Sequence, residues 1–237
     1  MRLGVLFWML VGSLSSACWA SVTVMGTRVV YNGTDRDVTI QLSNAGPVPA
    51  LVQTWVDLGD PTAAPETIDA PFVLSPPMFR IDPNRKQNLR MVFMGRDLPK
   101  DRESLFWLNV LEIPPKPGEL AGENYLQFSV RSRLKIFYRP AHLPGDPNRA
   151  AEGLQWRYAR EGNTGKLVVK NPTAYHVSFA EIKLSTQVKL DEDGVQEALV
   201  IGKPLTGMVD PLSQAEFVFS DLPPDAPAPL SVFFASV

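Results

Sequence analysis

Apolar and polar residues alternate with a period of two along much of the chain, and no long stretch keeps a helical period. Val38, Ile40 and Leu42 alternate with polar residues, as do Leu89, Met91 and Phe93. The same pattern returns at Leu154, Trp156 and Tyr158, at Leu167 and Val169, at Phe217 and Phe219, and at Leu230, Val232 and Phe234. Side chains of a strand alternate between faces, so such a pattern gives one wet and one buried face. Turn residues punctuate the runs: Asn32-Gly33, Asn44-Ala45-Gly46-Pro47, Asp82-Pro83-Asn84, Pro114-Pro115 and Asp193-Gly194. Many short strands at this spacing predict an all-β sandwich architecture rather than βαβ units. The segment Leu98–Glu103 is the best place for a helical turn within it.

The alternation breaks once, between Arg139 and Pro147, where three prolines and a glycine fall within nine residues. Proline donates no ladder hydrogen bond, so a central strand cannot run through this stretch. The break predicts two β-sandwiches, 21–140 and 141–237, each of ordinary domain size. The proline-rich run from Pro223 to Pro229 reads as a loop before a last strand. With 45% hydrophobic residues there is enough apolar material for two cores, which argues against a disordered chain.

Residues 1–20 follow a different grammar. Arg2 precedes an apolar run from Leu3 to Val11, and small residues lead to Ala20. This order predicts a secretory signal peptide cleaved between Ala20 and Ser21. The apolar core is shorter than the roughly 20 residues a spanning helix needs. Ser15 stands where a lipoprotein signal has a large aliphatic residue, so lipidation of Cys18 is disfavoured. The expected mature chain is exported and has no cysteine.

Composition removes several chemistries. The net charge is −2, which gives no field to hold a nucleic acid by counterion release. One cysteine excludes an internal disulfide and a multi-cysteine zinc site. The two histidines, His142 and His176, read as structural and leave little for a metal centre. Asp191-Glu192-Asp193-Gly194 fails as an EF-hand because Lys189 and Val200 would occupy ligand positions; it reads as a hairpin turn. Asn32-Gly33-Thr34 matches a glycosylation sequon, but Asn-Gly is a common tight-turn dipeptide. No Gly-x-Ser-x-Gly elbow, phosphate loop or His-Glu-x-x-His is present. The expectation is a protein that is not an enzyme and that uses no metal or cofactor.

Segment 124–140 is the most informative. Leu126, Phe128, Val130, Leu134, Ile136 and Tyr138 are apolar, whereas Gln127, Ser129, Arg131, Arg133 and Lys135 are polar or basic. At about 3.3 Å per residue the strand would span roughly 50 Å, beyond the usual length. Pattern alone favours a strand lining its own core. The other reading is an edge strand whose apolar stripe is presented to another protein.

These residues also carry a resemblance. Thr27-Arg28-Val29-Val30-Tyr31, then Ser75-Pro76-Pro77 with Arg80 and Pro83, resemble motifs of the periplasmic chaperones of the chaperone–usher pathway, which escort pilus subunits. The likeness continues through Asp101–Asn109, Glu112–Pro115 and Leu134–Pro140, and reaches Asn171–Tyr175. The resemblance implies two immunoglobulin-like β-sandwich domains arranged in an L. It implies that Arg28 and Lys135 grip the C-terminal carboxylate of a subunit. It implies a subunit-binding strand from Asn124 to Lys135, with Leu126, Phe128 and Val130 as the inserted stripe. Glu103, Arg139 and Asp221 match charged residues used between the domains, although Ser220-Asp221-Leu222-Pro223-Pro224 departs from the family's Asn-Asp-Tyr-Gly turn. The short connection Pro114–Glu123 and the absent cysteine pair resemble the branch that builds rod-like pili. Implied partners are pilus subunits and an outer-membrane usher, in the periplasm; self-association is left open. Two other classes stay in view: a secreted immunoglobulin-like adhesion or carbohydrate-binding module, which should carry an aromatic platform in place of the Arg28/Lys135 pair, and a secreted hydrolase.

Overall fold

A computed structural model describes residues 22–114, 128–190, 196–220, 222 and 231–236. The first strands in chain order are β1 (Val22–Val24), β2 (Arg28–Asn32), β3 (Val38–Asn44), β4 (Ala50–Asp57) and β5 (Phe72–Ser75). They are followed by β6 (Met78–Ile81), β7 (Lys86–Phe93), β8 (Ser104–Ile113), β9 (Val130–Arg139) and β10 (Gln155–Glu161). The last are β11 (Thr164–Asn171), β12 (Val177–Leu190), β13 (Gln196–Val209), β14 (Ser213–Phe219) and β15 (Ser231–Ser236). The chain divides into two compact units. One comprises the residues up to Val29 with Arg36–Arg96 and Phe106–Ile136, and the other comprises the rest.

The earlier strands form a four-stranded sheet, β1-β3-β7-β5, and a five-stranded sheet, β2-β9-β8-β4-β6. Period-two alternation is what lets the two sheets share a core. Ile40 and Leu42 of β3 and Leu89 and Met91 of β7 are buried, as are Val52 of β4, Leu108 of β8 and Ile136 of β9 in the other sheet. Phe72 of β5 meets Phe106 of β8 edge to face, with ring centroids 5.1 Å apart, which is a favoured aromatic geometry. The Asn32-Gly33 turn forms as the sequence predicts, closed by Asp35 N–H donating to the Asn32 carbonyl at 2.9 Å. It is not a hairpin, because β2 and β3 lie in different sheets.

The later strands form two three-stranded sheets, β10-β11-β14 and β13-β12-β15. Their core is aromatic. Phe179 of β12 packs edge to face on Phe217 of β14, and Trp156 of β10 packs on both Phe179 and Phe234 of β15. Gly207 of β13 is required by this packing, because a Cβ there would lie 2.4 Å from the Phe217 ring. Pairing of Leu190 with Gln196 joins β12 and β13 antiparallel, as a hairpin requires; residues 191–195 at its tip lie outside the described residues, as do 223–230.

One expectation is corrected. Residues 98–103 form no helical turn. The Glu103 N–H donates to the Ala174 carbonyl at 2.9 Å and not back along its own segment, so the turn lacks that closing bond. Short 3-10 turns occur at Pro65–Thr67 and at Pro147–Gly153. The second starts with the Asp146 carboxylate accepting from the Asn148 N–H, followed by Pro147 at the first helical position.

Candidate functional site

β9 holds Val130, Lys135 and Arg139 of the residues singled out by the sequence. It runs for ten residues, about 33 Å, and Phe128 and Ser129 precede it. The pattern predicts a strand from 124, but residues 124–127, Leu126 among them, lie outside the described residues. In the sheet β9 stands between β8 and β2. β2 is only five residues long and lies against the later part of β9. The Gly33 N–H donates to the Arg139 carbonyl at 2.7 Å, and the Tyr31 and Tyr138 rings stack at 6.0 Å. The first half of β9 therefore has β8 on one side and, among the described residues, no strand on the other.

The apolar stripe changes character along this strand. Leu134 and Ile136 are 7% and 0% exposed, whereas Phe128 and Val130 are 76% and 52% exposed. The later half lines the core, and the half without a second neighbour presents its apolar side chains to solvent.

Arg28 opens β2, and Lys135 lies in β9. Val29 and Tyr31 on one strand and Leu134 and Ile136 on the other are buried. Alternation therefore puts Arg28 and Lys135 on the opposite, outward face. Counting back from the paired ends at Gly33 and Arg139 brings Arg28 level with the Leu134–Lys135 step. The two bases are 107 positions apart in the sequence and belong to neighbouring strands of one sheet.

A polar network on that same face was not read from the sequence. Trp55 pairs with Asn109 and Asp57 pairs with Trp107 across β4 and β8. Asn109, which is fully buried, donates through Nδ2 to Asp57 Oδ2 at 2.7 Å. Its Oδ1 accepts from Arg131 Nη2 at 2.6 Å and from Arg133 Nε at 3.2 Å. The Asp57 carboxylate, 1% exposed, accepts from Arg133 Nη2 at 2.7 and 2.8 Å. It also accepts from the Gly59 N–H at 2.6 Å. Gly59 has φ +117°, a backbone that glycine adopts without strain. The Arg131 guanidinium lies 4.9 Å from the Trp55 ring centroid, and Arg133 and Lys135 lie 4.7 and 5.9 Å from that of Trp107. These distances are within cation–π range. The available signal was three x-spaced pairs, Trp55/Asp57, Trp107/Asn109 and Arg131/Arg133, each on one face of a strand.

Buried Glu103 forms an ion pair at 2.7 Å with the partly buried Arg139. The other Glu103 oxygen accepts from the His176 N–H at 2.8 Å and lies 3.1 Å from His176 Nδ1, which must be the donor to an ionised carboxylate. Burial disfavours the charged form of Glu103, but the hydrogen bonds from the His176 side chain and backbone and from Arg139 outweigh it. The net effect holds its carboxyl below the usual value. The His176 side chain is thus buried and tilted against Phe137, with ring centroids 5.2 Å apart. Asp221 lies outside the described residues. Among the described residues no group of three or more His, Cys, Asp or Glu is placed to hold a metal ion.

Known proteins share this architecture and sequence. Residues 21–144 match the family model of the pili and flagellar-assembly chaperone, PapD N-terminal domain, and residues 149–237 match the pili assembly chaperone PapD, C-terminal domain. The chaperone protein FimB/FhaD of Bordetella pertussis is 42% identical over 211 residues, covering 87% of this chain and 81% of that protein. The crystal structure of the Pseudomonas aeruginosa CupB2 chaperone is 39% identical, with a TM-score of 0.66, over 82% of this chain and 86% of that one. The Salmonella enterica SafB chaperone, solved in complex with the SafA pilin, is 29% identical with a TM-score of 0.64, over 92% and 96% of the two chains. The chain belongs to the PapD-like pilus-assembly chaperones, an all-β family of two immunoglobulin-like domains.

Proposed function

We propose that this protein is a periplasmic chaperone that binds pilus subunits by strand addition, caps them and delivers them to an outer-membrane usher. The observation that carries the mechanism is that, among the described residues, the first half of β9 has a strand on one side only, where Phe128 and Val130 are exposed. An unpaired strand edge offers backbone donors and acceptors to an incoming sheet, and alternate apolar side chains fill its groove. Each large side chain fully buried in this way contributes about 1.5–3 kcal/mol before ordering costs. Binding of this kind involves no covalent step, so the protein acts as a folding and capping chaperone and not as an enzyme.

In this reading Leu126, Phe128 and Val130 enter the subunit, and Arg28 with Lys135 holds its terminal carboxylate. Anchoring that carboxylate fixes the register, and a one-residue slip would turn every apolar side chain to the wrong face. The outward placement of both bases on neighbouring strands supports this assignment. The separate family matches on either side of residues 144–149 support a division into domains 21–140 and 141–237. The order of charge, apolar run and small residues supports cleavage after Ala20. A carbohydrate-binding module is disfavoured because cationic groups lie over the indoles of Trp55 and Trp107 on this outward face, where an aromatic platform would have to be open.

Affinity purification of the tagged, exported protein from cells expressing a pilus operon tests the function. Pilin-like subunits should co-purify stoichiometrically with it. Recovery of the chaperone alone, with the subunits stable elsewhere, would contradict the proposal.

A further inference from the structure

We infer that Trp107 is a positioning residue for Lys135, held in place by the Asp57–Arg133 pair. The inference rests on the carboxylate-anchor reading above and deepens it. A lysine on an outward strand face is a compact charge on a four-carbon stem, and it loses rotamer freedom when a ligand fixes it. Here the stem does not project into open solvent. The Lys135 ammonium sits 5.9 Å from the Trp107 ring centroid, and the Arg133 guanidinium occupies the same indole at 4.7 Å.

The indole is itself fixed. Arg133 cannot swing, because Asp57, 1% exposed, accepts two contacts from its Nη2 at 2.7 and 2.8 Å. Asp57 is in turn held by the Asn109 amide and the Gly59 N–H. The Gly59 turn backs the indole, since a Cβ there would lie 3.8 Å from Trp107 Nε1. A rigid chain thus runs from a buried carboxylate through a guanidinium and an indole to the lysine.

The chain has a second consequence. Arg131, Arg133 and Lys135 stand at every second position of one strand face, where like charges repel. Asp57 pairs with Arg133 and lies 3.6 Å from Arg131, and the negative π faces of the two indoles attract the cations above them. Of the three, Lys135 is the one that stands level with Arg28 on β2. Pre-ordering one long side chain in this way reduces the ordering cost of binding, so its loss should weaken carboxylate binding about three- to tenfold.

The test uses two synthetic strand-forming peptides with alternating apolar residues, identical except that one ends in a free carboxylate and the other in an amide. Their affinities for the full mature chain and for Trp107→Leu and Trp107→Phe are measured by titration calorimetry, with melting curves alongside. Wild type should prefer the carboxylate peptide. Trp107→Leu should lower that preference about three- to tenfold, leave the amide peptide's affinity unchanged, and lose less of the preference when the replacement is phenylalanine. A purely structural tryptophan would weaken both peptides equally, and that result overturns the inference. An unchanged preference in Trp107→Leu overturns it as well, while the anchor reading stands. A wild-type chain that binds neither peptide, or both equally, removes the anchor reading and the positioning role together.

Discussion

Substituting Phe128 with glutamate should separate binding from folding. The side chain is 76% exposed in the free chain, so a charge there remains hydrated, and surface substitutions of this kind change stability by about 0.5 kcal/mol or less. Inside a subunit groove the balance reverses. About three-quarters of the burial energy of a phenylalanine is still unrealised in the free chain, so its loss removes roughly 1–2 kcal/mol of binding. An unpaired carboxylate placed in the groove adds a desolvation penalty of several kcal/mol. Together these exceed about 4 kcal/mol, or roughly a thousandfold in affinity. The contrasting variant is Ile136→Ala on the same stripe. Ile136 is fully buried, so this change should cost about 2–5 kcal/mol of stability. Thermal denaturation and subunit co-purification, measured on both variants, supply the comparison. Phe128→Glu should melt like wild type and capture no subunit, and Ile136→Ala should melt many degrees lower. A Phe128→Glu chain that melts as low as Ile136→Ala, or one that still captures subunits at normal yield, would refute the reasoning.

Other outcomes follow from the same geometry. Arg28→Ala should fold normally and lose subunits, because hydrogen bonds to charged groups contribute about 1.5–3 kcal/mol; normal subunit yield from that variant would contradict the anchor. Glu103 has a lowered carboxyl pKa, so its contribution is fully present above the ordinary value of about 4.3 and is lost as pH falls through the lowered one. Melting temperature should therefore drop on the acid side of that range, with a shallower drop in Glu103→Gln. Asn109→Ala removes a fully buried donor and acceptor shared by Asp57, Arg131 and Arg133, and should cost about 1–3 kcal/mol by denaturant titration. Mass spectrometry of periplasmic material should find Ser21 as the N-terminus; an intact Met1 or a lipidated Cys18 would contradict the cleavage assignment.

The strands were legible because their burial follows a simple period. Leu89 and Met91 read as core from their neighbours alone, and both are fully buried. Two features needed three-dimensional information. The stripe from Phe128 to Ile136 is one pattern in sequence, but it is core where β2 lies alongside and exposed where β2 does not reach. No local period encodes the length of a strand contributed from 100 residues earlier. The Asp57–Asn109–Arg131–Arg133 network joins three strands, so its members look like ordinary outward residues one strand at a time. The segment 98–103 was the best place for a helical turn within the strand pattern, but the Glu103 N–H bonds to Ala174, a long-range partner that local propensity does not include. Conversely, Pro147 read as a breaker although Asp146-Pro147 is a helix-start pair, which the 3-10 turn then uses.

Hydrogen exchange on β9, compared between the free chaperone and a purified chaperone–subunit complex, tests the strand-addition account most directly. In the free protein, backbone amides from Phe128 to Arg133 should exchange quickly where they face the unpaired side, and those from Leu134 to Arg139 slowly. In the complex, exchange across 128–133 should slow by orders of magnitude, with β10, β11 and β14 unchanged. Unaltered exchange across 128–133, with protection appearing on another surface, would show that the subunit binds elsewhere and that β9 is not the added strand.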